Sequence, residues 1–421
     1  MRMAPANPTP RPERDASRID IAANGDADGR YVPTGESGPF AVAGAFDGKY
    51  ITAEVSRSAV RWNLALLKDM ARPARLCATV KGDAYGHGLR GLVDVLAEGA
   101  DMLAVTAPVE AYSIRRLGYD GPLLMLFTAC GFAGPERRAA LRDLVDLGAV
   151  STVTCRKEVP ELAAAARAAG RRAEVHVMID SGMCRGGVPA GQAPELVAAV
   201  RGEPDLELTG LYTHFATADE ADKAFARRQL TKFLAAVEAA GGREGLLLHA
   251  ANSPATIDLP QARLDMIRPG LSVFGYQPSD VMHNRPPLRP ALRVTAPLMQ
   301  VRDVPAGSRC GYGLTHGFDR PARLGLVPIG YADGYQRVLS NRATMRVRGV
   351  DCPVRGRVSM DQTLIELTDV PAAAIGDEAE VVAPVPGAPH CVESLSALAD
   401  TVPQEILCGF RSPRIRRVFV D

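Results

Sequence analysis

Short apolar runs and longer amphipathic segments alternate along the chain between about residues 74 and 276. The short runs have the length and composition of buried strands. The longer segments repeat apolar residues at helical spacing, and several of them end in glycine. The short runs are LCATV (76–80), MLAVT (102–106), LLMLF (123–127), VHVMI (175–179), LELTGLY (206–212) and SVFGY (272–276). This alternation predicts a parallel sheet of βαβ units, and about eight units fit the length, as in an α/β fold of the (β/α)8 barrel type.

An open doubly wound sheet would show the same alternation. Its phosphate-binding fingerprint, GxGxxG after a first strand, is missing from this chain, which favours the barrel. After about residue 288 the pattern changes to successive strands separated by turns, with one late helix at VESLSALAD (392–400). The sequence therefore predicts a barrel over residues 49–288 and a C-terminal mainly-β domain over residues 289–421.

The composition agrees with a folded protein of two domains. A chain of 421 residues is too long for one ordinary hydrophobic core, and 47% hydrophobic with 23% charged residues is typical of a globular protein. The 49 Lys and Arg residues nearly balance the 48 Asp and Glu residues. Because no net field would steer the protein to nucleic acid or to an anionic membrane, we expect a small-molecule partner.

The first 48 residues differ from the rest of the chain. They are rich in Pro, Ala, Gly and charge and lack the continuous apolar core of a signal peptide, so we expect a disordered or loosely packed extension. No apolar run approaches the roughly 18 residues needed to span a bilayer. The eight cysteines include no CxxC pair, which favours reduced thiols in the cytoplasm over a disulfide framework or a metal site.

The segment ATVKGDAYGHG places a lysine directly after the first predicted barrel strand. Lys81 would then lie at the C-terminal end of that strand, on the face where barrel active sites are built. A lysine there can form a Schiff base with an aldehyde cofactor if burial or neighbouring charges let it lose its proton. Taken alone, a solvated lysine in a βα loop is the commoner interpretation, so the surrounding motifs decide between the two.

The nonamer VKGDAYGHG, with Lys81, Tyr85 and His87, resembles the pyridoxal-phosphate (PLP) attachment signature of the alanine racemase family. The resemblance covers about residues 50–421. It implies a PLP-binding barrel, a C-terminal β domain and a homodimer with shared active sites that acts on a small free amino acid. Further motifs follow in the family's order: IDSGMCRGG (179–187), YTHFATAD (212–219), HAANSPAT (249–256), RPGLSVFGY (268–276), GYG (311–313), IGYADGY (329–335) and VRGRVSMDQ (354–362).

The resemblance also implies roles for the matching residues. Lys81 would hold PLP, Arg268 would face its pyridine nitrogen, and Arg185 would reach its phenolic oxygen. Tyr85 and Ser253, with the backbone of Gly270 and Leu271, would hold the phosphate, as backbone N–H groups hold anions. The other predicted cofactor contacts are His214, Asn252 and Gln404, and the predicted substrate-binding residues are Arg185, Tyr331, Met360 and Asp361.

Arg268 bears on the type of reaction. Many PLP enzymes place a carboxylate at the ring nitrogen, whereas an arginine cannot accept that proton, and the weaker electron sink favours return of a proton to Cα. Racemisation needs one acid/base group on each face of Cα. The resemblance assigns these roles to Lys81 and to Tyr312 of the partner subunit, and it implies interconversion of L- and D-alanine.

Two positions depart from the family pattern. Met178 stands where many members have a lysine, often carbamylated, that orients the arginine seven residues later. Gln404 stands where members usually have a tyrosine beside the phosphate and the substrate methyl pocket. A racemase acting on a larger or polar amino acid such as serine is therefore an alternative. The sequence is also compatible with a PLP-dependent amino-acid decarboxylase of the same fold, with a non-catalytic PLP-binding protein, and with a family member that has lost catalysis.

Overall fold

The computed structural model describes residues 49–127 and 134–421. The predicted extension over residues 1–48 lies outside the described residues, as do residues 128–133. No helix of the described ranges is long and apolar enough to cross a membrane.

Strands and helices alternate in the first part of the described chain. In chain order the elements are β1 (Ile51–Ser56), α1 (Arg57–Ala71), β2 (Arg75–Thr79), α2 (Lys81–Tyr85), α3 (Val93–Gly99), β3 (Met102–Val105), α4 (Pro108–Arg116), β4 (Leu123–Met125), α5 (Gly134–Asp146), β5 (Ala149–Val153), α6 (Glu158–Ala168), β6 (Ala173–Asp180), β7 (Val188–Pro189), α7 (Ala193–Arg201), β8 (Leu206–Tyr212), α8 (Ala224–Ala239), β9 (Leu247–His249), α9 (Ser253–Asp258) and β10 (Met266–Ile267).

Strands dominate the second part. They and the two late helices are β11 (Leu292–Pro297), β12 (Gln300–Val304), β13 (Arg309–Cys310), β14 (His316–Gly317), β15 (Ala322–Val327), β16 (Thr344–Val347), β17 (Val350–Pro353), β18 (Thr363–Glu366), β19 (Glu378–Val382), α10 (Val392–Ala399), α11 (Pro403–Gly409) and β20 (Ile415–Val420).

Eight parallel strands form a nearly closed barrel, which confirms the predicted (β/α)8 fold. Their order is β2, β3, β4, β5, β6, β8, β9 and β10, and β10 pairs with β2. Two backbone hydrogen bonds link the β9 and β10 segments, from Asp265 N to Leu248 O (3.0 Å) and from Arg268 N to Ala251 O (2.8 Å). Strands β3 and β5 are buried at every residue, because a parallel barrel is covered on both faces. This burial explains why the sequence shows continuous apolar runs.

The predicted C-terminal mainly-β domain is also confirmed. It contains a six-stranded sheet in the order β17-β16-β19-β11-β1-β20 and a three-stranded sheet in the order β12-β15-β18. Strand β1 pairs antiparallel with β11 and parallel with β20. Residues 51–56, which the predicted barrel range included, therefore lie in the sheet of the C-terminal domain.

Two local predictions were wrong. The segment SVFGY (272–276) is not a strand, because residues 271–274 form a 3-10 turn and Gly275 has a φ of 93°. Glycine is required at 275, since a Cβ there would overlap Arg289 O. The C-terminal domain has a second late helix, α11, which starts with Pro403 in its first turn. The last barrel strand, β10, has only two residues, too few to produce a recognisable apolar run.

Candidate active site

A cavity of about 630 Å³ opens at the C-terminal ends of the barrel strands. Residues after β2, β6, β8 and β9 line it, together with residues of α11 from the C-terminal domain. The sequence motifs thus converge on one place in the fold. All ten residues predicted to contact the cofactor line this cavity: Lys81, Tyr85, Arg185, His214, Asn252, Ser253, Arg268, Gly270, Leu271 and Gln404.

Lys81 begins a left-handed turn directly after β2. The residues from Gly82 to Tyr85 have φ between 54° and 66°, a conformation that residues other than glycine rarely adopt. The Glu110 carboxylate accepts a hydrogen bond from Gly82 N (2.6 Å) and two from the backbone N–H groups of Thr106 and Ala107 (2.9 and 3.0 Å). Glu110 therefore ties the strained turn after Lys81 to the N-terminus of α4.

The surroundings of Lys81 favour its neutral form. Burial lowers the pKa of the Lys81 ammonium and the positive charge of Arg185 lowers it further, while Glu110 and Cys408 act in the opposite direction. Only the neutral amine is a base or a nucleophile, so a lower pKa makes the reactive form more abundant near neutral pH.

Backbone N–H groups and hydroxyls gather at another part of the cavity. Ser253 Oγ accepts hydrogen bonds from Gly270 N (3.0 Å) and Ser272 N (3.3 Å). Ser253 is the first residue of α9, and the Asn252 side chain caps that helix. A Cβ on residue 270 would lie 2.2 Å from Tyr85 Oη, so only glycine fits there. These groups form a small cradle, in which the Ser253 and Tyr85 hydroxyls lie beside the backbone of residues 270–272.

Arg268 is buried and begins a chain of polar contacts through the barrel. Its Nη1 donates to His249 Nδ1 (2.8 Å), and because an arginine can only donate, His249 carries its proton on Nε2 and donates it to His176 Nδ1 (2.9 Å). The Tyr212 ring stacks on His249, with centroids 4.8 Å apart, and lies 5.0 Å from the guanidinium carbon. These contacts fix the orientation of Arg268.

Burial controls the charges along this chain. It lowers the pKa of Arg268 to about 10, so the guanidinium stays cationic at neutral pH. Burial together with the charge of Arg268 lowers the pKa of His176 to about 3 and that of His249 well below its ordinary value. The chain is therefore one cation bonded to two neutral imidazoles.

Arg185 lies on the loop after β6. Asp180 Oδ1 accepts hydrogen bonds from the three backbone N–H groups of residues 182–184 (2.9 to 3.1 Å), which fixes the loop just before Arg185. Met178, in place of the lysine that the family pattern would supply, is buried and lines the same cavity. The Asp180 carboxylate therefore fixes the backbone before Arg185, while the buried Met178 offers the Arg185 guanidinium no hydrogen-bond acceptor of the kind a carbamylated lysine would.

Two other polar side chains of the cavity are neutral. Burial and the charges of Arg268 and Arg185 lower the pKa of His214 to about 3. Gln404 Oε1 is buried and has no hydrogen-bond partner among the described residues. The cavity therefore contains cationic side chains together with one buried acceptor, Gln404 Oε1, that has no donor among the described residues.

Four predicted site residues lie outside this cavity. Tyr312, Tyr331, Met360 and Asp361 are exposed on the C-terminal domain, and none of them lines the cavity of its own chain. They belong to three loops, residues 311–313, 329–335 and 356–362, which we call the C-terminal loop group.

The members of the C-terminal loop group are in contact with one another. Tyr331 N donates to Ser359 O (3.1 Å). A Cβ on Gly330 would lie 2.3 Å from the same oxygen, and one on Gly311 would lie 3.0 Å from Arg357 N. The three loops therefore present their side chains as one exposed patch.

The sequence analysis missed several residues of the site. Glu110 lies two residues after Pro108, a pattern that predicts a helix N-terminus but not a contact with Gly82. Tyr212 and Asp180 lie inside quoted motifs that give them no role, and His176 lies inside the predicted strand VHVMI. In each case the partner is distant in sequence, so no local pattern points to it.

Two known protein-domain families together match most of the chain. Residues 55–278 match the family described as "Alanine racemase, N-terminal domain", and residues 291–419 match "Alanine racemase, C-terminal domain".

Individual proteins give the same result. The chain is 38% identical to an alanine racemase of Desulfosudis oleivorans over 88% of this chain and 96% of that protein. It is 37% identical to an alanine racemase of Desulfovibrio desulfuricans over 87% of this chain and 97% of that protein. Among solved structures, the alanine racemase of a D-cycloserine-producing Streptomyces lavendulae is similar with a TM-score of 0.82 and 34% identity, over 89% of this chain and 97% of that chain.

Proposed function

Because the chain belongs to the alanine racemase family, we propose that it interconverts L- and D-alanine with PLP bound in the barrel cavity. The relatives reported above are all named alanine racemases, which does not favour a serine racemase or a decarboxylase. The observation that carries the proposal is the placement of Lys81, with a lowered pKa, in one cavity with all the other predicted cofactor contacts.

The residues of the cavity fit PLP. In the cradle at Gly270, where a Cβ would overlap Tyr85 Oη, two hydroxyls lie beside the backbone of residues 270–272, which suits a phosphate group. The buried Gln404 Oε1 lacks a partner among the described residues, and the cationic side chains of Lys81, Arg185 and Arg268 suit an anionic cofactor. We propose that Lys81 holds the cofactor covalently, Arg268 donates to its ring nitrogen, and Arg185 contacts its phenolic oxygen.

When bound, PLP withdraws electrons from the substrate and so makes the Cα–H bond acidic. The protein then has to move protons at Cα. Lys81 Nζ removes or returns the proton on one face of Cα, helped by the lowered pKa of its ammonium form. Glu110, through its bond to Gly82 N, holds the turn that aims Lys81.

Arg268 favours racemisation over other reactions at Cα. The guanidinium stays charged at neutral pH and its Nη1 donates to the neutral His249, so Arg268 can donate a hydrogen bond but cannot accept one. With PLP bound, Arg268 would donate to an unprotonated ring nitrogen, and the weaker electron sink would favour return of the proton to Cα.

The second acid/base group comes from another subunit in this proposal. Tyr312 is 69% exposed and does not line its own cavity, as expected of a residue that serves a neighbouring site. We propose a symmetric homodimer in which the C-terminal loop group of each subunit completes the cavity of the other. Tyr312 would move the proton on the second face of Cα, with Tyr331 and Met360 beside the substrate.

Purified protein with PLP in deuterium oxide tests the proposal. The substrates are L-alanine, L-serine, L-lysine and L-glutamate, and the products are separated on a chiral column and examined by mass spectrometry. We expect D-alanine with one deuterium at Cα. Lys81→Ala should lower turnover by roughly 10²- to 10⁴-fold and remove the visible absorption of bound PLP, whereas Lys232→Ala, on an exposed site of α8, should change neither. Bound PLP without exchange on any substrate would contradict the proposed function.

A further inference from the structure

We propose that Arg414 is a positioning residue that holds Tyr331 and Met360 in place for the active site of the partner subunit. This inference rests on the proposed function, because it assumes that the C-terminal loop group completes the partner's cavity. Asp361, which its motif predicts to bind substrate, would then help to hold the loops of its own subunit through its bond to Arg414.

The Arg414 guanidinium joins its own segment to two others that are distant in sequence, residues 328–333 and the loop that contains Asp361. Its Nη1 donates to Asp333 Oδ2 and to Asp361 Oδ1, both at 2.9 Å. Its Nη2 donates to Pro328 O at 3.1 Å. Asp333 and Asp361 lie on two different loops of the C-terminal loop group, so one side chain bridges both loops.

The buried Asp333 carboxylate depends on the positive charge of Arg414. Its side chain is completely buried, and besides Arg414 its Oδ2 accepts only from Gly330 N (3.1 Å), the residue before Tyr331, among the described residues. Its Oδ1 has no hydrogen-bond partner in the same ranges. A buried carboxylate that loses its cation is strongly destabilised, so without Arg414 the Asp333 side chain has to take up a proton or leave its position, and either change weakens its hold on Gly330 N.

The two loops move together because their backbones are bonded. Tyr331 N donates to Ser359 O (3.1 Å) and Ala332 N donates to Met360 O (3.0 Å). A change in the turn at Asp333 therefore shifts both of the side chains predicted to reach the substrate.

The backbone of Arg414 is itself well anchored. The next residue, Ile415, starts β20, which pairs with β1 along six residues of the large sheet. The guanidinium thus reaches from a fixed strand to two exposed loops. Arginine suits this task because its planar fork presents several donors at fixed angles, which a lysine ammonium cannot reproduce.

An effect of Arg414 on its own subunit's cavity is the competing explanation. The same turn touches α11, since a Cβ on Gly334 would lie 2.4 Å from Gly409 C and O. Helix α11 carries Gln404, which lines the cavity of the same chain. The experiment must therefore distinguish action on the partner's site from action on the subunit's own site.

The first measurement compares Arg414→Met and Arg414→Lys with Arg416→Met. Arg416 lies two residues further along the chain, on β20, and is exposed. Within the described ranges its side chain donates one hydrogen bond, to the Thr52 hydroxyl. We expect Arg414→Met to raise the KM for alanine by roughly ten- to a hundredfold, with a smaller change in kcat. Arg414→Lys should recover part of the loss, and Arg416→Met should match wild type.

The second measurement uses heterodimers purified through two different tags, one per subunit. One subunit carries Lys81→Ala and the other carries Arg414→Met. The only cavity with Lys81 then belongs to the Arg414→Met subunit and is completed by loops with native Arg414. If Arg414 acts on the partner's site, this heterodimer has the wild-type KM and about half the wild-type activity per dimer, one site of two.

A KM that stays raised in this heterodimer would overturn the inference, because Arg414 would then act on its own cavity. A control heterodimer of Lys81→Ala with Tyr312→Phe isolates the shared site and should also recover about half the activity. If the control recovers and the Arg414 heterodimer does not, only the inference fails; if neither recovers, the shared site fails as well. Should Arg414→Met not fold, Asp361→Asn removes the more exposed contact and should raise KM in the same direction, and an unchanged KM would count against the inference.

Discussion

The barrel cavity and the C-terminal loop group both carry predicted site residues but differ in what surrounds them. Nine of the ten predicted cofactor contacts in the cavity are buried or half-buried, all except Arg185, and two of them, Arg268 and Ser253, are hydrogen-bonded to residues distant in the same chain. The loop group presents Tyr312, Tyr331 and Met360 with 69%, 42% and 54% of their surface exposed. Large apolar side chains left exposed side by side are typical of an interaction surface.

The difference indicates that the cavity binds the cofactor and that the loop group supplies the second acid/base residue in the proposed function. The ten residues predicted to contact the cofactor all line the cavity of a single chain, whereas Tyr312, the predicted second acid/base residue, does not. Variants of the two regions should therefore have distinguishable effects: changes in the cavity should affect cofactor binding, and changes in the loop group should affect only turnover and substrate binding.

The largest effect should come from the two acid/base residues. Lys81→Ala and Tyr312→Phe should each lower kcat by roughly 10²- to 10⁴-fold, because each removes proton transfer on one face of Cα. Only Lys81→Ala should also lose the visible absorption of bound PLP. Spectra and turnover of both purified variants check this contrast.

Tyr112→Phe is the matched control for Tyr312→Phe, since Tyr112 lies on α4 and does not line the cavity. It should be as active as wild type. Full activity in Tyr312→Phe would show that the second proton transfer uses another group and would remove the main argument for a shared site.

The next effect should come from the cradle in the cavity. Gly270→Ala places a Cβ 2.2 Å from Tyr85 Oη, and relief of this overlap should cost about 1–3 kcal/mol. We expect PLP to bind about ten- to a hundredfold more weakly, as measured by titrating the apoprotein and following the absorption of the bound cofactor.

Gly191→Ala provides the control, because a Cβ there meets no atom within 4 Å. Its affinity for PLP should equal that of wild type. Equal affinities in both glycine variants would mean that the cradle at Gly270 does not receive the phosphate.

A smaller effect should appear as acid sensitivity of the barrel. The pKa of His176 is lowered to about 3 and that of His249 is well below 6.5, so the unfolded chain binds more protons than the folded one in acid. The stabilisation is complete above pH 6.5 and is lost as the pH falls from 6.5 towards 3. Each histidine contributes about 1 kcal/mol per pH unit in that window.

Thermal unfolding between pH 7.5 and pH 4.5 measures this loss. His176→Gln keeps an acceptor for the His249 proton and removes one titrating group, so its melting temperature should depend less steeply on pH. The surface variant His283→Gln should follow the wild-type curve. A His176→Gln curve parallel to wild type would show that His176 is protonated in the folded protein.

The sequence predicted most of the architecture because apolar runs and helical spacing are local properties. LELTGLY coincides with β8 at both ends, and the alternation predicted the barrel even though β10 has only two residues. SVFGY misled the prediction because a buried 3-10 turn has the same apolar composition as a strand. The pairing of β1 with β20 could not be predicted, since it joins the two ends of the described chain.

The candidate site divides in the same way. Motif resemblance pointed to ten residues that line one cavity, because each motif is a continuous segment. It did not find Glu110 or the links from Arg268 to His249 and His176, which depend on partners in other strands. The supporting bonds of a site are encoded across the fold, so only the structure reveals them.

The smallest effect should come from Gln404, one of the two cavity residues that depart from the family pattern. Gln404 Oε1 is buried without a partner among the described residues, so it can accept a hydrogen bond from a hydroxyl on the substrate. Gln404→Tyr would replace that acceptor with a ring that narrows the space beside the substrate side chain. We expect the ratio of kcat/KM for L-alanine over L-serine to rise by roughly three- to tenfold, within the range that one pocket contact supplies. Gln300→Tyr, on an exposed site of β12, should leave the ratio unchanged, and an unchanged ratio in Gln404→Tyr as well would mean that selectivity is decided by the partner's loop group and not by the cavity.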